Sequence, residues 1–297
     1  IDLRAVQIAG LALWLRAQRA YADMGIGVGD RSRIRRTHIV CAEPMPGEYD
    51  LLGEFVRDLK PAILGNVLRD IWDRMKLAGE AGSLLRIDQE IRESIGRARE
   101  ALERLPEGIQ LTLFGPPRPE ELAQQLPLVL DRRELQDQAF WADAEERVIE
   151  ALRAYSQRAE DGRQVSRRLF AADAIQGMAF IDLLLRRFDV VLMNPPFGAA
   201  SVASKDYIQT AYPRTKNDLY AAFVERGLEL LHPGGYLGAI TSRTGFFLTS
   251  FRKWREEILL KEAHPIALAD LGYGVLDTAM VETAAYVLCK ASANIDK

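Results

Sequence analysis

The sequence predicts an α/β protein in which a parallel sheet is interrupted by a large, mostly helical insertion. A short apolar run, Phe188 to Met193, has the composition of a buried parallel strand and stops at two prolines. Residues 48–185 repeat apolar positions with a period of about 3.6 residues, which is typical of helices. The last third alternates strand-like and helix-like segments. These patterns divide the chain into 1–47, 48–185 and 186–297.

Composition limits the classes of protein to consider. The chain has 297 residues, 48% of them hydrophobic, which is enough for one large or two modest domains. The formal net charge is -3, so global charge does not favour nucleic acid. Cys41 and Cys289 lack metal-ligand spacing, and no metal site is predicted. Without an apolar run of about 20 residues, we expect a cytoplasmic protein that does not cross a membrane.

The first segment predicts an apolar helix that begins after Asp2, a good N-cap residue. A glycine-rich stretch, Met24 to Asp30, follows this helix and leads into an arginine-rich stretch. This order differs from that of a cofactor loop, which precedes a helix, so we interpret it as a surface loop. Thr37 to Ala42 then predicts a short buried strand that ends at Glu43 and a proline.

The insertion, residues 48–185, contains helical periodicity but no catalytic cluster. A patch rich in proline and glycine, Phe114 to Pro119, breaks the helical pattern once. Its function is open from sequence: a structural spacer, a DNA contact, a docking site for a partner or a lid all fit.

The chemistry of the chain points to Asn194-Pro195-Pro196-Phe197, directly after the predicted strand 188–193. The prolines fix an extended loop at the carboxyl end of a strand, where open α/β sheets bind ligands. The Asn194 side-chain oxygen and the Pro195 carbonyl oxygen are two acceptors for the two hydrogens of a planar amino group. Phe197 offers an aromatic face on which a base can stack. The alternative is a simple turn that ends the strand.

The remaining segments predict the rest of the sheet. A helix from Asp218 to Leu231 is followed by a strand at 236–241 and a helix at 246–260 that contains Trp254 as a core residue. Segments 266–271 and 283–288 are expected to pair antiparallel. The side chains expected to face the sheet from the first of these helices are Leu219, Ala222, Phe223, Gly227, Leu230 and Leu231. Those that could contact DNA phosphates are Ser204, Lys205 and Lys216.

The motif Asn194–Phe197 resembles the catalytic motif of amino-group DNA methyltransferases, which form N6-methyladenine with S-adenosylmethionine. The resemblance continues through Asn217-Asp218-Leu219-Tyr220-Ala221-Ala222-Phe223 and Pro233-Gly234-Gly235-Tyr236. It covers residues 1–43 and 186–290, and the chain is similar to the large modification enzymes of restriction and phage-defence systems, including the type IIG and PglX-like proteins. It implies a Rossmann-like class I methyltransferase sheet.

The resemblance also implies roles for particular residues. Asn194, Pro195, Pro196 and Phe197 are the expected catalytic residues, acting on an adenine flipped out of double-stranded DNA. Asp2, Glu43 and Asn194 are expected to bind S-adenosylmethionine, with Asp2 at the ribose hydroxyls and Glu43 at the adenine amine. Asp or Asn is more usual than Glu at the latter position. A plain N-cap role for Asp2 is equally open.

The glycine-rich cofactor loop expected before Asp2 is absent from this sequence. We therefore expect a methyltransferase sheet that is incomplete at its amino-terminal side, in a fragment that is inactive alone. Other restriction or defence subunits are expected partners. The same tetrapeptide also occurs in ribosomal-RNA and protein-glutamine methyltransferases. A further alternative is an inactive scaffold that binds a partner through its helical insertion.

Overall fold

The computed structural model describes two compact units that alternate along the chain. The first unit comprises Ile1–Gly79 and Gln89–Asp182, and the second comprises Glu80–Asp88 and Leu183–Lys297. The predicted three-part division of the chain stays a prediction. The residues that the structure describes are 3–34, 37–59, 62–90, 93, 150–151, 154–155, 164–275 and 281–291.

The described part of residues 48–185 consists of helices and 3-10 turns and contains no strand, as predicted. None of the described helices combines the length and apolar character that a membrane span requires. The α-helices up to this point of the chain are α1 Leu3–Asp23, α2 Tyr49–Asp58, α3 Ala62–Arg74, α4 Ala78–Ala81 and α5 Gln164–Leu185. The 3-10 turns are Val28–Asp30, Met75–Leu77 and Gly82–Leu84.

The first unit has an aromatic core between α3 and α5. Trp72 stacks on Phe170 with ring centroids 5.2 Å apart, and its indole nitrogen donates to the Pro46 carbonyl oxygen at 2.8 Å. Phe55 of α2 packs edge-on against Tyr155. This core forms because α2 and α3 bury one apolar side each, which is the pattern that predicted them.

The strand predicted at Thr37 to Ala42 is wrong. This segment has no regular secondary structure and pairs with no strand in the described part of the chain. A strand needs a neighbour to accept and donate its backbone hydrogen bonds, and the four described strands all belong to the second unit. His38 is exposed and Cys41 is buried, so an apolar run alone did not decide the conformation.

The second unit is built on a four-stranded mixed sheet in the order β1-β2-β4-β3. β1 pairs parallel with β2, and β4 lies antiparallel between β2 and β3. The predicted antiparallel pair is thus confirmed, as is the α/β class. The strands are β1 Phe188–Met193, β2 Leu231–Ser242, β3 Ala263–Gly272 and β4 Thr283–Lys290. The α-helices of this part are α6 Lys205–Ala211 and α7 Leu219–Leu230.

One face of this sheet is covered by α7. Gly227 allows the close approach, since a Cβ there would lie 2.5 Å from the Met193 methyl group and 2.6 Å from a Leu237 methyl group. Tyr220, Val224 and Leu228 pack into the same core. The prediction of which α7 side chains face the sheet was therefore partly wrong, because Ala222, Phe223 and Leu230 lie outside this core cluster. Trp254 belongs to the core, as predicted.

The other face of β1 is open, which corrects the prediction of a strand buried on both faces. Val190 is 55% exposed and Leu192 is 79% exposed, whereas Val191 and Met193 pack against the core. After Asp189 the strand has apolar residues on both of its faces, so the sequence pattern does not tell which face has a covering element.

The helix predicted at 246–260 is replaced by irregular helical turns. Two 3-10 turns, Arg243–Phe246 and Thr249–Phe251, lead into a π-helix, Trp254–Glu262. The buried side chains of the π-helix are Trp254, Ile258 and Leu259. These positions recur at four to five residues, a spacing that matches the wider turn of a π-helix.

Candidate active site

Asn194 follows the last residue of β1, at the edge of the sheet where β1 and the parallel strand β2 both end. Met193 is in register with Ala239 of β2. Asn194 and Pro196 are exposed, Pro195 is buried and Phe197 is half-buried. The loop therefore presents the amide of Asn194 to solvent while Pro195 anchors the backbone beneath it.

An aromatic cluster supports Phe197 from behind. The Phe197 ring meets the Tyr220 ring edge-on, with centroids 6.2 Å apart and an interplanar angle of 86°. Tyr220 in turn stacks on Phe251 and contacts Trp254 edge-on. These rings restrict the orientation of Phe197 because interiors are closely packed. Its remaining exposed surface is what a stacking partner can reach.

The residue after Phe197 is fixed to the start of α7. Gly198 has a φ of +102°, which favours glycine over residues with a side chain. Its N–H donates to Asp218 Oδ1 at 2.9 Å, and its carbonyl accepts from the Leu219 N–H at 2.8 Å. Asp218 Oδ1 also caps α7 by accepting from the Tyr220 N–H at 3.2 Å.

The environment of the Asp218 carboxylate is partly buried. Burial raises its pKa above the usual range, while hydrogen bonds from the backbone of Gly198, Tyr220 and Leu219 act in the opposite direction. Donors that point at the charged form stabilise it, so these backbone groups offset part of the desolvation.

A shallow groove of about 630 Å³ lies on the open face of the sheet and includes Asn194. Asn194 brings an exposed polar side chain to its lining, whereas the Tyr286 side chain is buried in the core on the covered face. The size falls within the range of small-molecule sites, and the small side chains of Gly238 and Ala285 leave room for a flat group. The groove is thus suited to a planar, largely apolar ligand that meets one amide.

Polar side chains that end β2 lie at the same edge of the sheet. Arg243 binds Asp270 at 2.7 Å and also pairs with Glu282. Ser242 and Thr244 share a hydrogen bond of 2.9 Å. Because two carboxylates already compensate its charge, Arg243 is a structural arginine here rather than a phosphate ligand.

The loop after the motif corrects one sequence expectation. Ser204, a candidate phosphate contact, is buried, and its hydroxyl bonds to that of Ser201 at 2.9 Å. Lys205 and Lys216 are exposed, and a DNA contact for them stays a prediction.

The predicted cofactor residues fall in different places. Asp2 lies outside the described residues. Glu43 belongs to the first unit, directly after residues 37–42, and is half-buried. Burial of Asp173 is the main cause that raises the pKa of that carboxyl, and the negative charge of Glu43 raises it further. Within the described ranges no group of three or more His, Cys, Asp or Glu side chains is placed to hold a metal ion.

Sequence reasoning did not predict that residues 80–88 belong to the second unit, far in sequence from its other residues. Residues 80–88 bind the chain that follows the motif Asn194–Phe197: the Tyr207 hydroxyl accepts from the Arg86 N–H at 2.8 Å. The Tyr212 hydroxyl donates to the Leu84 carbonyl at 2.7 Å, and Arg226 pairs with Asp88 at 2.7 Å. No local signal could have revealed these contacts, since Asp88 and Arg226 are 138 residues apart.

Comparison with known families gives a match over most of the chain. The model of the Eco57I restriction-modification methylase family matches residues 1–275. The adenine-specific methyltransferase BrxX of Escherichia coli O9:H4 (strain HS) is 27% identical over 148 residues, which is 46% of this chain. The adenine-specific methyltransferase PglX of Lacticaseibacillus casei (strain Zhang) is 28% identical over 114 residues, or 36% of this chain. These matches span 12% and 9% of the two relatives' lengths.

Two solved structures are similar at low identity. One is a putative class I S-adenosylmethionine-dependent methyltransferase from Listeria monocytogenes, with 14% identity and a TM-score of 0.33, covering 83% of this chain and 88% of that one. The other belongs to a type I restriction-modification system, with 14% identity and a TM-score of 0.32, covering 80% of this chain and 58% of that one.

Proposed function

The chain belongs to the Eco57I restriction-modification methylase family, and from this premise we propose that it is the catalytic portion of an adenine-N6 DNA methyltransferase. The observation that carries the proposal is the placement of Asn194–Phe197 at the end of β1. There the loop exposes one amide, anchors one proline and supports one aromatic ring.

In this mechanism the adenine amino group lies between two acceptors. The Asn194 side-chain oxygen and the Pro195 carbonyl oxygen accept hydrogen bonds from its two N–H groups, which directs the nitrogen lone pair toward the methyl carbon. Fixed acceptors cost little reorganisation during the reaction, so positioning and local dipoles supply the acceleration. As the nitrogen bonds to the methyl carbon, the bond between that carbon and the cofactor's sulfur would break to leave a thioether, and the proton that the amine loses would leave to water.

The residues present fit S-adenosylmethionine in their chemistry. Glu43 offers a half-buried carboxylate that can accept from the cofactor's adenine amine. Asn194 would lie next to the methyl group that is transferred. When bound, the cofactor supplies an electrophilic methyl group. Asp2 would bind the ribose hydroxyls.

The proposed substrate is double-stranded DNA with the target adenine extruded, because an amine within a base pair is not accessible to the loop. Phe197 would then stack on the extruded base. Further restriction or defence subunits are proposed partners on the strength of the family to which the chain belongs.

The test is methyl transfer by the full-length protein that contains this chain. Duplex DNA is incubated with radiolabelled S-adenosylmethionine, and the digested nucleosides are separated. We expect N6-methyladenine from the wild type. For Asn194→Ala we expect that the cofactor still binds in calorimetry, and that methyl transfer falls by about 10²-fold or more, well beyond any loss of cofactor affinity.

Two results would redirect the proposal. Label in ribosomal RNA or in protein glutamine, with none in DNA, would support the alternative methyltransferase classes. Cofactor binding without transfer to any acceptor would favour the inactive scaffold.

A second measurement addresses Phe197. Replacing it with Ala should weaken DNA binding by about 1–3 kcal/mol, the contribution of one base–aromatic stack, whereas Trp should retain most of the affinity. Fluorescence of 2-aminopurine at the target position reports the extruded base. Phe247→Ala is the matched control, because this phenylalanine is 72% exposed in the same unit.

A further inference from the structure

The carboxylate of Asp218 joins two parts of the second unit that are separate in sequence. One part is the catalytic loop, which ends at Gly198, and the other is the start of α7. The Gly198 N–H donates to Asp218 Oδ1 and the Gly198 carbonyl accepts from the Leu219 N–H, so both backbone groups of the glycine are bound there. These bonds close the base of the loop 199–217.

The geometry at Gly198 shows that this junction sets the path of the chain. A φ of +102° directs the backbone away from the course that other residues adopt readily. The two hydrogen bonds hold the peptide that directly follows Phe197 against the helix. A change in this peptide therefore moves Phe197 first and Asn194 next, within the same short rigid loop.

The same carboxylate oxygen also fixes the wall behind Phe197. Asp218 caps α7 by accepting from the Tyr220 N–H, and the Tyr220 ring packs edge-on against Phe197. One atom thus determines both the backbone after Phe197 and the position of the ring that supports it.

We propose that Asp218 is a positioning residue for methyl transfer, acting through Gly198 and Tyr220 on Asn194 and Phe197. This inference rests on the proposed function. Asp218 does not touch the substrate in this scheme. Its effect should appear in kcat, since a reacting group displaced by about 1 Å can cost about 10²-fold in rate.

Three substitutions separate the roles of the carboxylate in the full-length protein. Asp218→Asn keeps an acceptor at Oδ1 and a good N-cap, so kcat should stay close to the wild-type value. Asp218→Ala removes both bonds and should lower kcat by about 10²-fold with cofactor affinity unchanged. Asp218→Ser keeps a helix cap on a side chain that is one bond shorter, so the helix remains while the bond to Gly198 is lost.

A matched control is present in the same unit. Asp270 Oδ1 accepts from the Gly272 N–H at 3.2 Å, and Gly272 has a φ of +69°. Asp270→Ala therefore removes the same kind of bond at a glycine outside the catalytic loop, together with one of the two ion pairs of Arg243, whose pair with Glu282 remains. We expect its kcat to equal that of the wild type.

Hydrogen exchange in a peptide that spans residues 194–200 provides a readout independent of activity. Asp218→Ala and Asp218→Ser should raise exchange there, and Asp218→Asn should not. Where Asp218→Ala fails to fold, Asp218→Ser decides the question in the same way.

Wild-type kcat and exchange in folded Asp218→Ala or Asp218→Ser would overturn the inference, as would a failure of Asp218→Asn to retain activity. A wild type that transfers methyl groups to RNA or protein contradicts the proposed DNA substrate, and the same kcat ratios then test Asp218 on that acceptor. If the wild type transfers to no acceptor, the proposed function fails, and unchanged exchange in Asp218→Ser overturns the positioning role separately.

Discussion

The two faces of the sheet in the second unit differ in what covers them. On one face Leu237 is fully buried beneath α7 and the π-helix. Segment 80–88 adds a further layer there, bound to another side of α7. On the other face Leu192 is 79% exposed, and the described residues leave a groove beside Asn194.

The side chains of the two faces explain this difference. Leu237 and Tyr286 pack into the core on the covered face, whereas the groove is lined by the small residues Gly238 and Ala285 and by larger ones such as Ile240. The large side chains of the covered face fill the space between two packed layers, and the small residues of the groove let another flat group or backbone approach. The loop 194–198 therefore lies between the face of the sheet that α7 covers and the face that carries the groove.

The strongest test of this asymmetry is Leu237→Ala on the covered face. Leu237 has no exposed surface and lies in a central strand, so we expect a loss of about 4 kcal/mol in the free energy of unfolding. Native-state hydrogen exchange of β2 amides in the full-length protein measures it. A loss below about 1 kcal/mol, the size of a surface effect, would contradict the packed layer.

The next effect concerns the outer layer on α7. Arg226→Ala should leave the Asp88 carboxylate, which is buried, without its closest cation. We expect a loss of about 3 kcal/mol, since Arg187 remains 3.3 Å from Asp88. Hydrogen exchange of α7 amides measures the change. The control is Arg252→Ala, which breaks an exposed pair with Glu256 and should leave the stability unchanged.

A third test makes the same substitution on both faces. Gly227→Ala places a Cβ within 2.6 Å of Met193 and Leu237, in the packed layer, and should cost about 2 kcal/mol. Gly238→Ala places a Cβ 2.7 Å from a Leu192 methyl group on the open face, where Leu192 can rotate into solvent. We expect no loss of thermal stability from it. Equal shifts in melting temperature for the two variants would remove the distinction between the faces.

The smallest expected effect asks whether the face is open in the full-length protein. Leu192→Lys should leave the melting temperature unchanged, because the side chain already reaches water. A clear destabilisation would mean that another part of the protein covers this face. Thermal unfolding monitored by circular dichroism decides between the two results.

Local signals carried most of what the sequence predicted correctly. Asp218 followed by an apolar run correctly predicted the start of α7, and the prolines after Met193 correctly predicted the end of β1. These features depend on neighbouring residues in the sequence, so they can be recognised without the three-dimensional structure. The helical character of the described insertion follows from the same kind of signal.

What the sequence did not predict depends on distant partners. Thr37 to Ala42 has strand-like residues, but its conformation is decided by whether a neighbouring strand is present. The exposure of Leu192 depends on the absence of a covering helix among the described residues, and the pairing of Arg226 with Asp88 spans 138 residues. The role of Glu43 in cofactor binding stays a prediction for the same reason.

The long interval between Asp88 and Arg226 has a consequence for synthesis of the chain. At about 5–20 residues per second, the ribosome adds Arg226 about 7–28 s after Asp88, given their separation of 138 residues. During that time segment 80–88 has none of the partners that it contacts in α6 and α7. β4, which lies between β2 and β3, is made later still. The second unit can therefore complete its folding only when translation of this part of the chain is nearly finished.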